Sequence, residues 1–302
     1  MSVLVIGGVN IDIGARAKAP LVAKDSNPGR VNISLGGVGR NIAHNLRLLG
    51  VETSMLTVFG EDEFARTICR NAEDIGLDLS LSAVIPEGHT STYLFIAGSD
   101  GDMALAVNDM DIYEHMTPDF LSARLPAINR FDLVVLDTNI PQESIEWLCE
   151  HCTAPIVADP VSTIKGEKLR GVLGRLYAIK PNRAEAEMLT GERDVKKMAE
   201  KLLHAGVQQV YISLGAEGVY AADNAGNICH VPCPSVKLAN ATGGGDAMAA
   251  ALTACILRGD GLTETAQNAI AAGAFACTAE STIHPEMSWD NIEKMRESEE
   301  YL

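Results

Sequence analysis

The chain has 302 residues, enough for one large α/β domain or a core domain with a small appendage. A formal charge of −16 excludes non-specific binding of duplex nucleic acid, which needs clustered Lys and Arg, but not an anionic small ligand held by amides at a helix start. No run approaches the about 18 apolar residues that cross a bilayer, and seven cysteines without framework spacing fit reduced thiols, so a cytoplasmic protein with no membrane partner is expected.

Short apolar strands alternate with helical stretches along most of the chain. The pattern predicts a strand over Val3–Val9, a helix over Arg40–Leu49 closed by Gly50, a strand over Ser54–Phe59 and a helix from about Asp62 to Ile75. Next come strand Leu133–Asp137, helix Gln142–Cys152, strands Ile156–Ala158 and Ala178–Lys180, and helices Arg183–Thr190 and Val195–Ala205. Strand Gln209–Leu214 turns through Gly215–Gly218 into a return strand, Val219–Ala222, and Ala-rich helices fill Asp246–Arg258 and Thr263–Ala279. This alternation implies an α/β fold with a mostly parallel central sheet flanked by helices.

Two regions break the pattern. Ile13–Leu35 has no helical period and contains the turn cluster DSNPGR before an alternating strand at Arg30–Ser34, while Ser91–Val107 reads as two strands joined at Asp100-Gly101. Together they form an antiparallel layer inserted into the body. The expected division is a body of residues 1–12, 36–88 and 114–302, with a lid of 13–35 and 89–113.

The paired cysteines Cys149/Cys152 and Cys229/Cys233 could supply two halves of a zinc site. Zinc knuckles sit on turns, however. The first pair closes a helix and the second lies in a strand-to-loop passage, so small apolar residues are the better reading.

The most informative stretch is Thr242-Gly243-Gly244-Gly245-Asp246, which opens a helix with three of the poorest helix formers after proline. Bare backbone there lets the amides of Gly243, Gly244, Gly245 and Asp246 converge on one anion, aided by the helix dipole. Such a hole suits a phosphoryl group in transfer, and the carboxylate of Asp246, held ionised by the dipole, could take the proton of an attacking hydroxyl. A flexible turn with Asp246 as N-cap is the local alternative. The Lys-Ser/Thr ending of a P-loop is missing.

A second glycine cluster, Gly36-Gly37-Val38-Gly39-Arg40-Asn41, also opens a helix, and Gly7-Gly8-Val9-Asn10-Ile11-Asp12 ends the first strand. Neither has the spacing of a dinucleotide fingerprint, which disfavours a nicotinamide enzyme. Asn10, Asp12 and Asn41 offer the carboxylate and carboxamide groups that suit vicinal sugar hydroxyls, or they cap turns. Lys180-Pro-Asn182-Arg183-Ala184-Glu185 supplies hard oxygen donors for Mg²⁺ and its waters, or a capping box.

These segments, in this order, resemble the ribokinase-like, or PfkB, family of carbohydrate and nucleoside kinases. GGVGRN at Gly36–Asn41, NRAE at Asn182–Glu185, SLGAEG at Ser213–Gly218 and ATGGGDA at Ala241–Ala247 carry the likeness, which spans essentially the whole chain. It implies ATP and Mg²⁺ as co-substrates and transfer of the γ-phosphate to a primary hydroxyl beneath a β-strand lid. Asp246 would be the base and the amides of Gly243 to Asp246 the anion hole. Asn10, Asp12 and Asn41 would grip the sugar, with Gly36 and Gly37 letting it approach the backbone. Asn182 and Glu185 would order the magnesium and phosphates, the latter through water. Thr242, Ser213, Gly215 and Gly218 would border ATP, with Asn268 on its adenine side.

Where relatives carry Asp-Thr, with the aspartate helping to hold an activating monovalent cation, this chain has Asn240-Ala241; the Asn240 amide oxygen becomes the candidate ligand for K⁺. Gly244 stands where alanine is usual, with little expected consequence. DSNPGR, the arginine of GGVGRN, AVNDMDI at Ala106–Ile112, DTNI at Asp137–Ile140 and DPVS at Asp159–Ser162 look most like the members that act on pseudouridine. The implied reaction gives pseudouridine 5′-phosphate, with Thr92, Asn108, Asp109 and Asn139 as candidate readers of the base, or as satisfied turn residues. The alternatives are a family member acting on ribose, a hexose or another nucleoside, and a non-catalytic nucleoside sensor. Homodimerisation through the lid strands is the expected assembly.

Overall fold

The computed structural model describes residues 1–297. The chain begins with β1 (Ser2–Ile6), enters the lid as β2 (Asn10–Ala17) and β3 (Gly29–Gly36), and returns through α1 (Val38–Leu48). β4 (Glu52–Leu56), β5 (Val58–Gly60), α2 (Glu63–Ile75) and β6 (Ala83–Ile85) lead to the lid hairpin β7 (Thr92–Ala97) and β8 (Met103–Asp109). Short helices α3 (Pro118–Ser122) and α4 (Leu125–Ile128) precede β9 (Leu133–Asp137), α5 (Gln142–His151), β10 (Ile156–Asp159), α6 (Thr163–Gly166) and β11 (Ala178–Ile179). Then follow α7 (Arg183–Thr190), α8 (Val195–His204), β12 (Gln209–Ser213), β13 (Val219–Asp223), β14 (Ile228–Val231), α9 (Gly244–Arg258), α10 (Leu262–Ala276) and α11 (Trp289–Glu297).

Strands that are apolar at every position belong in a sheet covered on both faces. β1 and β9 show this, with successive side chains entering opposite cores. Val3, Val5, Leu133 and Val135 belong to the core that includes residues of α1, α9 and α10, and Leu4, Ile6, Val134 and Leu136 to the core that includes residues of α5, α7 and α8. The eight strands run in the order β14-β13-β12-β11-β10-β9-β1-β4, parallel except for β13 and β14. The parallel strands therefore deliver their carboxyl ends to one edge, where ligands bind in open α/β sheets.

The lid departs from expectation in one respect. Its order is β3-β2-β7-β8, and β2 pairs with β7 in parallel, so the layer is mixed rather than antiparallel. The two hairpins are antiparallel as their turns require, but they meet through strands far apart in the chain. β2 and β3 also reach Asn10 and Gly36, so the lid sheet grows directly out of the two glycine segments. The apolar stretch at Ser54–Phe59 breaks at Thr57 into β4 and β5, the latter pairing with β6 outside the main sheet. The helices between residues 111 and 128, between 163 and 175, and at 289–297 add to the elements foreseen.

Candidate active site

Gly243 takes φ +90°, and a Cβ there would collide with the Thr282 carbonyl, so only glycine fits. The residue ends the loop and leaves α9 with no side-chain cap. The first amides of a helix have no partner inside it, so Gly244, Gly245 and Asp246 present bare N–H groups. Asp246 is the third helical residue rather than the N-cap, and its Oδ2 accepts from Asn41 Nδ2 at 2.8 Å. That bond joins the two glycine-led helix starts, α1 and α9.

The Asp246 carboxyl is raised to about 7, first by burial and then by the nearby Asp159 carboxylate, against the opposing pull of Asn41 and the Lys180 ammonium. The expectation of an ordinarily ionised aspartate is therefore corrected. Desolvation outweighs the helix dipole, whose effect is limited to the first turn and is modest by comparison. A carboxyl titrating near neutrality is well matched to accepting a proton.

Lys180 and Asp159, given no role by sequence reasoning, lie beside the start of α9. Lys180 Nζ lies 3.2 Å from Asp159 Oδ2, both side chains being buried, and 3.8 Å from where a Cβ on Gly245 would stand. Burial disfavours the ammonium, but Asp159, Glu185 and Asp246 together outweigh it and keep it charged. The chain leaves β10 through Val161, at φ +64°, a costly backbone for a β-branched residue. Its N–H donates to Asp159 Oδ1 at 2.8 Å, so the strained turn holds this carboxylate towards Lys180.

Asn182 and Glu185 form a full capping box at the start of α7, with Glu185 N donating to Asn182 Oδ1 at 2.9 Å and Asn182 N to Glu185 Oε2 at 2.8 Å. The local alternative is thus realised, and Glu185 spends one oxygen on it. Burial also raises the Glu185 carboxyl. Asn240 closes a small turn by accepting from Thr242 N and donating to the Glu280 carbonyl; Thr242 itself is exposed.

Among the residues expected to meet the acceptor, Asn10 Nδ2 donates to Asp12, and Gly36 leaves room for that carboxylate, which a Cβ would strike. Gly37, at φ +97°, packs so closely on Gly8 and Val9 that no side chain fits. Fully buried Asp137, also given no role from sequence alone, ties these pieces together. It accepts from Gly8 N, Gly39 N, Asn139 N and Asn139 Nδ2 at 2.8–2.9 Å. Asn139 is therefore engaged on one end by Asp137 and on the other by Lys165 Nζ at 2.6 Å.

Strand alternation assigns the lid residues to faces. Asp12, Tyr93 and Asn108 pair across β2, β7 and β8 and share one face, whereas Thr92 and Asp109 pair with Ile11 and share the other. Of these three lid-side candidates, only Asn108 lies on the face of Asp12.

Beyond the glycine run a cavity of about 600 Å³ opens. Ser213, Gly215, Gly244 and Gly245 line it together with an apolar wall from Val236, Leu238, Met248 and Ile270. Gly218, at φ +101°, serves the turn beside β14. Asn268 does not reach this cavity: its Nδ2 faces Cys255 Sγ and its Oδ1 accepts from Arg296. The apolar wall carried no sequence signal, because Val and Leu in a loop are indistinguishable from core residues. An apolar cavity ending at the uncapped amides of Gly244 and Gly245 suits a ligand with an apolar ring and an anionic tail. The model of the pfkB family carbohydrate kinases matches residues 1–289.

The chain belongs to the pfkB family. It is 34% identical to the pseudouridine kinase of Escherichia coli K12 across 99% of this chain and 98% of that one, and 31% identical to an uncharacterised sugar kinase of the same organism across 95% and 81%. Among solved structures, a carbohydrate kinase from Agrobacterium tumefaciens superposes with a TM-score of 0.88 at 30% identity, covering 98% of this chain and 96% of the other. The ribokinase of Thermotoga maritima superposes equally well, TM-score 0.88, at 21% identity, covering 99% and 100%, and shares the fold. As a pfkB kinase the chain is a phosphotransferase with an alcohol acceptor, in a family that uses ATP and Mg²⁺.

Proposed function

We propose that this kinase transfers the γ-phosphate of ATP to the 5′-hydroxyl of pseudouridine, giving pseudouridine 5′-phosphate and ADP. The observation that carries the chemistry is Asp246, titrating near 7 and hydrogen-bonded to Asn41 at an uncapped helix start. The acceptor rests on the likeness to the E. coli pseudouridine kinase over nearly the full length of both chains.

In this reading Asn10, Asp12 and Asn41 orient the ribose, and Asp246 takes the proton as the 5′-oxygen attacks phosphorus and the bond to the leaving ADP oxygen breaks. The amides of Gly243 to Asp246 and the Lys180 ammonium stabilise the equatorial charge. Glu185 and Asn182 would hold Mg²⁺ through water; when bound, the ion neutralises phosphate charge. Asn108, beside Tyr93 on the inner lid face, is the lid-side candidate for reading the base, and closure of the lid would exclude water. Asn240 would offer an oxygen to K⁺.

A second reading, a sugar acceptor, is favoured by the comparable match to the uncharacterised E. coli sugar kinase. A non-catalytic sensor is disfavoured by retention of Asp246 within an intact glycine run. Turnover measured with pseudouridine, uridine, adenosine, ribose and fructose separates these readings. Pseudouridine is expected to give the highest kcat/KM, and a preference for ribose or fructose would overturn the acceptor assignment.

A further inference from the structure

Arg40, on the first turn of α1, is only 6% exposed, yet among the described residues it forms no ion pair. Burying a guanidinium without a bonded carboxylate is destabilising, so its position calls for a compensating role. Its fork is held from two sides. Nη2 donates to Asn71 Oδ1 of α2 at 2.8 Å, and Nη1 donates to Asn41 Oδ1 at 3.1 Å, while Nε has no partner.

The second bond matters because Asn41 also donates Nδ2 to Asp246. A carboxamide has one accepting and one donating end, and arginine can only donate. We infer that Arg40 is a positioning residue for Asp246: it pins the Asn41 carboxamide so that only its NH₂ group faces the carboxylate. The opposite orientation would set NH₂ against the guanidinium and oxygen against Asp246. This inference rests on the reading of Asp246 as the base.

Pinning has a consequence for protonation. A donor fixed beside Asp246 favours the carboxylate, and a protonated Asp246 finds no acceptor in a locked amide. Without Arg40 the amide can turn and accept from the protonated form. The other groups facing Asp246 are Asp159 from β10, Asp137 from β9 and Lys180 after β11; those facing Arg40 are Asp12 from β2 and His44 one turn along α1. None of them supplies the missing orientation.

Carboxyl ¹³C titration of Asp246 in the ligand-free protein, assigned by the signal lost in Asp246→Asn, tests this directly. Arg40→Met is expected to raise the midpoint by about one pH unit, and Asn71→Ala, which leaves the arginine in place but frees half its fork, by less. The acid limb of kcat, with acceptor saturating, should move the same way while KM for ATP stays within about twofold. Unchanged midpoints in both variants, with only a lower Tm, would mean Arg40 is structural and overturn the inference. Should Arg40→Met fail to fold, the half-buried Asn71 variant decides alone. Full turnover by Asp246→Asn would instead overturn the base assignment, leaving the titration result intact.

Discussion

Asp246 is the residue at which stability and chemistry pull apart. Its carboxyl is raised to about 7 by burial, so the folded protein holds a proton there at pH values where the unfolded chain has lost it. That group's contribution to stability is therefore fully present below the ordinary aspartate range and lost as pH rises through about 7. Asp246→Asn is expected to cut kcat by a factor of about 10²–10⁴. It should also raise Tm by a few degrees at about pH 8 and leave it nearly unchanged at about pH 4. Differential scanning calorimetry alongside turnover checks both halves; near-normal kcat, or a Tm gain only in acid, would contradict the assignment. The wild type should gain activity as pH rises through about 7. A neighbouring detail also departs from expectation: a Cβ on Gly244 would stand 2.7 Å from Cys277 Sγ and 3.2 Å from the Gly273 carbonyl oxygen, so the glycine packs tightly against the end of α10. Gly244→Ala is expected to require the Cys277 side chain to shift.

At the scale of elements, the lid has two unlike faces. Asp12, Tyr93 and Asn108 lie on one; Ile33, Ile13, Leu94 and Val107 form a row across the other, followed by Val31, Ala15, Ile96 and Leu105. Val31, Ile33, Leu105 and Val107 are 58–68% exposed, an apolar surface of the kind that marks an association site. We expect two copies to bury this face against each other, the sheet faces rather than the strand edges making the contact. Light scattering should give a dimer for the wild type and a monomer for the double variant Ile33→Lys, Leu105→Lys. A monomeric wild type, or a variant that stays dimeric, would contradict this assembly.

Across the whole molecule, a chain of charge −16 is proposed to receive a highly anionic ligand through backbone amides and one lysine rather than a basic surface. The sequence made the uncapped helix start legible, because three consecutive glycines open an otherwise strong helix. Strand and helix order were legible too: Leu133–Asp137 and Arg183–Thr190 fall where periodicity places them. Facts that depend on distant packing were not. The bond between Asn41 and Asp246 spans 205 positions, and the raised carboxyl beside it follows from burial that no local pattern encodes. That Thr92 and Asp109 face away from Asp12 was not legible either, because facing depends on strand register, which is set by a partner far along the chain. Asp137, Asp159 and Lys180 looked like strand-end residues until the shared edge of the sheet brought them together. The amides at the start of α9 are expected to hold the terminal phosphoryl group while Asp246 takes the proton of the acceptor hydroxyl, and a crystal structure with pseudouridine and an unreactive ATP analogue tests this most directly. The terminal phosphate is expected within about 3 Å of the amides of residues 244–246 and the 5′-oxygen within hydrogen-bonding reach of Asp246; a terminal phosphate lying elsewhere, away from the start of α9, would contradict this assignment.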